Sequence, residues 1–285
     1  MDADINILFS SDFYKILDFK CKCNGICISK PEYSKSFNIS FIRKGNFNYK
    51  VFRNDFDSFT GYAIIDKPDS EHIVEHKHHI PDECTIIDFS SEFYQAITEN
   101  HNIKYKSFFD NSDIQSLLIK TNGKVEYLHY LLLNIINSTN PDKIHIDCLV
   151  MEILNWFLDR IDNKNPQTKI ALKLKKQHLQ TIEKAKNFIF NNFSEDITLQ
   201  DIAFYCNISL FHFSRIFKGI SNYSPYQFLL ETRLTHAKQL LIMNNNLPIK
   251  EICFESGFKN LEHFNAAFKN KFHHPPSFYK KSKNP

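Results

Sequence analysis

A segment near the C-terminus occurs twice. The first copy runs from Ile197 to Lys218 and the second from Leu247 to Lys269. Asp201-Ile202-Ala203 answers to Glu251-Ile252-Cys253 at an offset of 50, and Phe213 and Phe217 to Phe264 and Phe268 at 51. Eight residues beyond the last phenylalanine of each copy stands a proline, Pro225 or Pro276. Such a repeat calls for two examples of one supersecondary unit, and the residues specify which one. Thr198 with Asp201 makes a capping box, and Pro248 opens the equivalent helix where its missing N–H costs nothing. Asn207 and Gly257 stop these helices, being residues that tolerate a left-handed backbone. Ser209 and Asn260 cap the next helices, on which each phenylalanine pair, at i and i+4, faces inward. The pattern is helix–turn–helix, twice.

Between the copies, Ser224-Pro225 starts a long helix with Leu229, Leu230, Leu234, Ala237, Leu240 and Leu241 on its buried side. At about 19 residues it spans about 28 Å. Charge agrees. From Lys173 onward there are 16 Lys and Arg against 8 Asp and Glu, whereas residues 1–172 carry 19 against 24. A basic C-terminal part on an acidic N-terminal part suits a module that sits on phosphate.

These residues resemble the AraC/XylS family of transcription regulators over about Leu179 to Lys280. The connecting helix carries Arg233-Leu234-Ala237-Leu240-Leu241 in the family's pattern, followed by Gly257-Phe258, Phe268-Lys269 and Pro276-Ser277-Phe278-Tyr279. Asn222 and His273 replace the glycine usual before each Ser/Thr-Pro or Pro-Ser turn, and His is the less tolerant of a positive φ. The resemblance implies two recognition helices in successive major-groove segments of double-stranded DNA. Outward positions of the first are Ser209, Phe211, Ser214 and Arg215. Arg215 suits guanine O6 and N7, and Phe211 a thymine methyl. The second offers Asn260, Leu261, Glu262, Asn265 and Ala266, with Asn265 suited to adenine and Glu262 to cytosine N4. Ala266 stands where the family often has a long polar side chain, so the second helix is expected to read less. Lys218, Lys259, Lys269, Lys271 and Lys280 are phosphate candidates.

Residues 19–90 read as short alternating strands, among them those opening at Phe37, Phe47 and Thr85, with turn formers between. From about Asp113 the period becomes helical, with stripes at Val125, Leu128, Leu131, Leu132, Ile135 and at Ile146, Leu149, Val150, Ile153, Leu154, Phe157. The expected fold is α+β: residues 1–111 a small cupin-like β-barrel, 112–168 a helical dimerisation segment ending in a polar linker at 162–168, and 169–285 the DNA-binding domain. By analogy the barrel takes a small-molecule effector and the helices form a homodimer. A divalent metal is a further candidate cofactor, held by His76, His78 and Cys84, with Cys21-Lys-Cys23 and Cys27 as additional thiolates; no established zinc spacing is present. A metal-dependent cupin enzyme with an accessory helical domain is the competing reading, weakened by the absence of a nucleophile triad or phosphate-cradling glycine loop. The acidic N-terminus and the lack of a long apolar run point away from a signal peptide or membrane span, and the odd, scattered cysteines toward the cytoplasm. The expectation is a cytoplasmic activator that works with RNA polymerase.

Overall fold

The computed structural model describes residues 2–23, 25–76, 81–99, 106–161, 172–243 and 246–281. The polar linker at 162–168 lies outside them. The chain divides into two units, Met1–Thr121 with Leu131–Lys169, and Asn122–Tyr130 with Ile170–Pro285.

The first unit contains strands β1 (Ala3–Ser10), β2 (Tyr14–Cys21), β3 (Cys27–Ile28), β4 (Glu32–Tyr33), β5 (Asn38–Lys44), β6 (Asn46–Val51), β7 (Asn54–Phe59), β8 (Tyr62–Asp66), β9 (Glu71–His76), β10 (Glu83–Phe89) and β11 (Ser116–Lys120). One antiparallel sheet runs β1-β2-β10-β5-β8-β11; the other runs β3-β9-β6-β7, with β4 also on β9. The expected cupin-like β domain is thus an open two-sheet sandwich rather than a closed ring. Pleating divides the larger sheet's side chains. Asn38, Ser40, Ile64 and Asp66 line a cavity of about 340 Å³ together with Phe47, Tyr49, His72 and His76 of the other sheet. Alternate residues turn the opposite way, and there Phe41 meets Phe157 edge-on at 5.4 Å. With both faces covered, every residue of β8 is buried, which is why Tyr62-Ala-Ile-Ile65 shows no polar alternation before Asp66.

Two helices, α1 (Ser91–Glu99) and α2 (Lys106–Phe109), interrupt the strands before β11, and α3 (Gly123–Ile136) and α4 (Lys143–Ile161) follow. The switch to helix expected at about Asp113 therefore comes later. Ser116-Leu-Leu-Ile-Lys120 is a strand completing the larger sheet on β8. A five-residue apolar run carries no period that separates strand from helix, and pairing with β8 decides it. The α4 stripe from Ile146 to Phe157 is fully buried within the chain. A dimer contact on this helix has to use its other side.

The second unit comprises the start of α3, then α5 (Leu172–Asn192), α6 (Leu199–Tyr205), α7 (Leu210–Ser221), α8 (Pro225–Met243), α9 (Ile249–Glu255), α10 (Leu261–Phe272) and α11 (Pro276–Lys281). Leu234, Ala237 and Leu241 of α8 pack with Ile252, Cys253, Phe258, Phe264 and Phe268. Truncating a buried phenylalanine such as Phe268 to Ala costs about 3–5 kcal/mol. Among the described residues no helix is long and apolar enough to cross a membrane.

Candidate nucleic-acid interface

Each half of the repeat folds as its local chemistry dictates. Thr198 N–H donates to Asp201 Oδ2 at 2.7 Å and Asp201 N–H to Thr198 Oγ1 at 3.2 Å, closing the capping box. Asn207 at φ 56° and Gly257 at φ 77° make the left-handed stops. Ser209 Oγ accepts from His212 N–H, and Asn260 Oδ1 from the N–H groups of Glu262 and His263. Asn222 and His273 close α7 and α10 at φ 63° and 62°, so the histidine adopts the same left-handed turn as the asparagine. Ser224 and Gln227 cap α8 reciprocally, each backbone N–H meeting the other's side chain.

With Phe213, Ile216 and Phe217 buried in α7, and Phe264 and Phe268 in α10, opposite faces turn outward. Ser209, Phe211, Arg215 and Lys218 are exposed and Ser214 is half-buried; Phe211 is 80% exposed, an unusual position for an aromatic ring. On the second unit Lys259, Asn260, Leu261, Glu262, Asn265, Ala266 and Lys269 are all exposed. The Arg215 guanidinium donates to His212 Nδ1 at 3.1 Å. Accepting that bond requires Nδ1 to be without its proton. His178 stacks edge-on against His212 at 5.0 Å, and burial, His212 and Arg215 together hold its imidazole below the usual range. The lysines are not equivalent. Lys271 pairs with Glu231, and Lys280 Nζ donates to the Leu247 carbonyl at 2.7 Å, so both serve the fold. Lys259 meets Asp196 in an exposed pair, which salt and competing phosphates loosen readily.

Two features escaped the sequence. Arg233 donates through Nε to the Phe193 carbonyl and through Nη2 to that of Glu195, both at 2.8 Å. A Cβ on Gly257 would stand 2.3 Å from the same Phe193 oxygen and 2.8 Å from Arg233 Nε. The loop before α6 is thereby bonded to Arg233, and the turn after α9 packs closely against both. The start of α3 also joins this unit. Tyr127 Oη lies 2.6 Å from His236 Nδ1, and Lys186 Nζ 2.7 Å from Glu126 Oε2. Burial lowers His236 to about 4. No local signal reports contacts made across such separations.

Of the metal candidates, His78 lies outside the described residues. His76 and Cys84 both line the sandwich cavity, but the donors gathered around His76 are Cys21 and Cys23, and Cys84 is not among them. Burial pushes the Cys84 thiol up, consistent with a protonated core residue.

A helix-turn-helix domain profile matches residues 198–282. The raffinose operon transcriptional regulatory protein RafR of Pediococcus pentosaceus is 30% identical over 156 residues, 54% of this chain and 52% of its own. The lactose operon transcription activator of Staphylococcus xylosus is 27% identical over 186 residues, 65% and 60% of the two chains. The Msm operon regulatory protein of Streptococcus mutans is 23% identical over 270 residues, 91% and 89%. The first two alignments thus span only between half and two thirds of those relatives. The matches agree with the duplicated caps, the left-handed stops and the single helix joining the halves: residues 198–282 form a helix-turn-helix domain similar to those of operon regulators.

Proposed function

We propose that this protein is a sequence-specific, double-stranded-DNA-binding transcription regulator acting in the cytoplasm. The observation that carries the reading is the pair of recognition helices, each held by a buried phenylalanine pair while its outer face presents base-reading and phosphate-binding side chains. Arg215, Phe211 and Ser214 read bases from α7, and Asn265, Glu262, Leu261 and Ala266 from α10. Ser209, Asn260, Lys218, Lys259 and Lys269 set position on the phosphates. The relatives' names describe operon regulators, one of them an activator, which favours this reading over a cupin-type enzyme and supports activation through RNA polymerase.

The sandwich cavity, of a size suited to a small ligand and edged by Tyr49, His72, Asp66 and Asn38, supports an effector role for the first unit. Self-association is assigned to the outer side of α4, where Ile144, Cys148 and Met151 follow one another at helical spacing and remain exposed. The decisive experiment is footprinting of the full chain on intergenic DNA beside its own coding sequence, with affinity measured from low to moderate salt. A discrete protected site and a steep fall of affinity with salt are expected. Protection no stronger than on random DNA would refute sequence-specific regulation.

A further inference from the structure

Cys21 ends β2, Cys23 follows it, and His76 ends β9. Their Sγ, Sγ and imidazole nitrogen donors all lie within 4.8 Å of one another. Cys21 Sγ is 3.7 Å from His76 Nε2. In a tetrahedral site with Zn–S near 2.3 Å and Zn–N near 2.0–2.1 Å, sulfur and nitrogen stand about 3.6 Å apart and two sulfurs about 3.8 Å. The observed separation is that of two ligands of one tetrahedral ion.

The other side of the imidazole is fixed. His76 is 1% exposed, and its Nδ1 stands 2.7 Å from Oδ2 of Asp82, which is 2% exposed. Among the described residues no lysine or arginine pairs with that carboxylate, and neither of its oxygens has a well-aligned hydrogen bond. Gly45, at φ 90°, makes room for it, since a Cβ there would fall 1.9 Å from Asp82 Oδ1. A carboxylate buried beside thiols is costly unless positive charge stands near. A metal-bound imidazole donating its Nδ1–H to Asp82 supplies that charge and is the usual arrangement at protein zinc centres. Finally, Cys27 lies directly opposite His76 in the β3–β9 register, which puts a further thiol next to the cluster.

We propose that Cys21, Cys23 and His76, joined by Cys27 as fourth ligand, bind a thiophilic transition-metal cation, zinc in the first instance, with Asp82 as the positioning residue for His76. Three thiolates and one imidazole select a soft or borderline ion over magnesium or calcium. The site ties the end of β2 in one sheet to β3 and β9 in the other, at one end of the sandwich cavity. Its occupancy therefore bears on the first unit whether or not the chain binds DNA.

The test uses the full chain, purified under reducing conditions and titrated with Co²⁺ and then Zn²⁺. One equivalent of Co²⁺ is expected to give thiolate-to-cobalt charge-transfer absorption and the intense visible bands of tetrahedral cobalt, both removed by one equivalent of Zn²⁺. Cys206→Ser, in the helical second unit, should leave the spectrum intact. Cys27→Ser should weaken the charge-transfer band, and Asp82→Asn should keep the band while lowering zinc affinity about 10–100-fold. Wild-type protein that binds no cobalt, gives only the weak bands of octahedral cobalt, or forms a Cys23–Cys27 disulfide that Zn²⁺ does not prevent would overturn the proposal. The wild-type spectrum decides even if a cysteine variant fails to fold.

Discussion

The two helix-turn-helix units share a skeleton and differ in what they display. Each has a capped second helix, an i, i+4 phenylalanine pair and a left-handed residue at both stops. On that common frame, α7 shows Phe211 and Arg215, whereas α10 shows Leu261, Glu262, Asn265 and Ala266. The skeleton is set by requirements that admit few residues: a cap, a positive φ, an aromatic of the right volume. The outer face meets no such requirement from folding, so its residues are left to answer to the partner. The two halves agree in the first set and differ in the second.

The sharpest way to break the likeness is at the stops. Gly257→Ala combines a positive φ with a Cβ 2.3 Å from a backbone oxygen, and should destabilise the second unit by about 2–4 kcal/mol in thermal or urea unfolding. Asn207→Ala, which lacks the clash, should cost only about 1 kcal/mol. Equal losses would mean that Arg233 and Phe193 do not crowd the glycine.

Acid should strain the face of α8 that meets Tyr127. His236 is depressed to about 4 from 6.5, so between those values the unfolded chain binds a proton the folded one excludes. Stability should be level above about pH 6.5 and fall by about 3 kcal/mol on acidification to pH 4. His236→Phe should flatten this slope, while variants of the exposed His263 or His274 should not. Far-UV circular dichroism reports the loss, and Trp156, the only tryptophan, reports separately on the first unit.

For DNA, Arg215→Ala should lose about 1–3 kcal/mol on the cognate site and relax preference at one guanine. Asn265→Ala should cost less, and Lys269→Ala should weaken cognate and random DNA alike in binding titrations. Uniform losses for all three would erase the distinction between reading and positioning residues. The smallest effect expected is a gain: His273→Gly should stabilise by about 0.5–1 kcal/mol, and Asn222→Gly by less, because asparagine already accepts that turn.

What could be read from the chain follows from how local each signal is. Thr198, Ser209, Asn260, Asn207 and Gly257 act on neighbours within four residues, and all stand where the sequence put them. Ser116–Lys120 is not legible as a strand because β8, its partner, lies fifty or more residues away. The role of 122–130 was hidden in the same manner, since Tyr127 and Glu126 meet partners far along the chain. The thiol and imidazole cluster illustrates the limit best. Its members come from separate strands of two sheets, so no spacing announces them, and along the chain the run of histidines after His76 points to Cys84 instead.

The bonds from Arg233 to the Phe193 and Glu195 carbonyls also bear on what arrangement of target the protein will accept. With that side chain tying the connecting helix to the first half, and Gly257 of the second half packed close against it, a DNA reader built in this way would act as a gauge of fixed length and phase. One added base pair between the two sites displaces the second by about 3.4 Å and turns it by about a tenth of a revolution. A hinged reader would follow such a change, but a gauge has to bend or twist the duplex instead. Spacing between half-sites, quite apart from their letters, then becomes part of what is recognised.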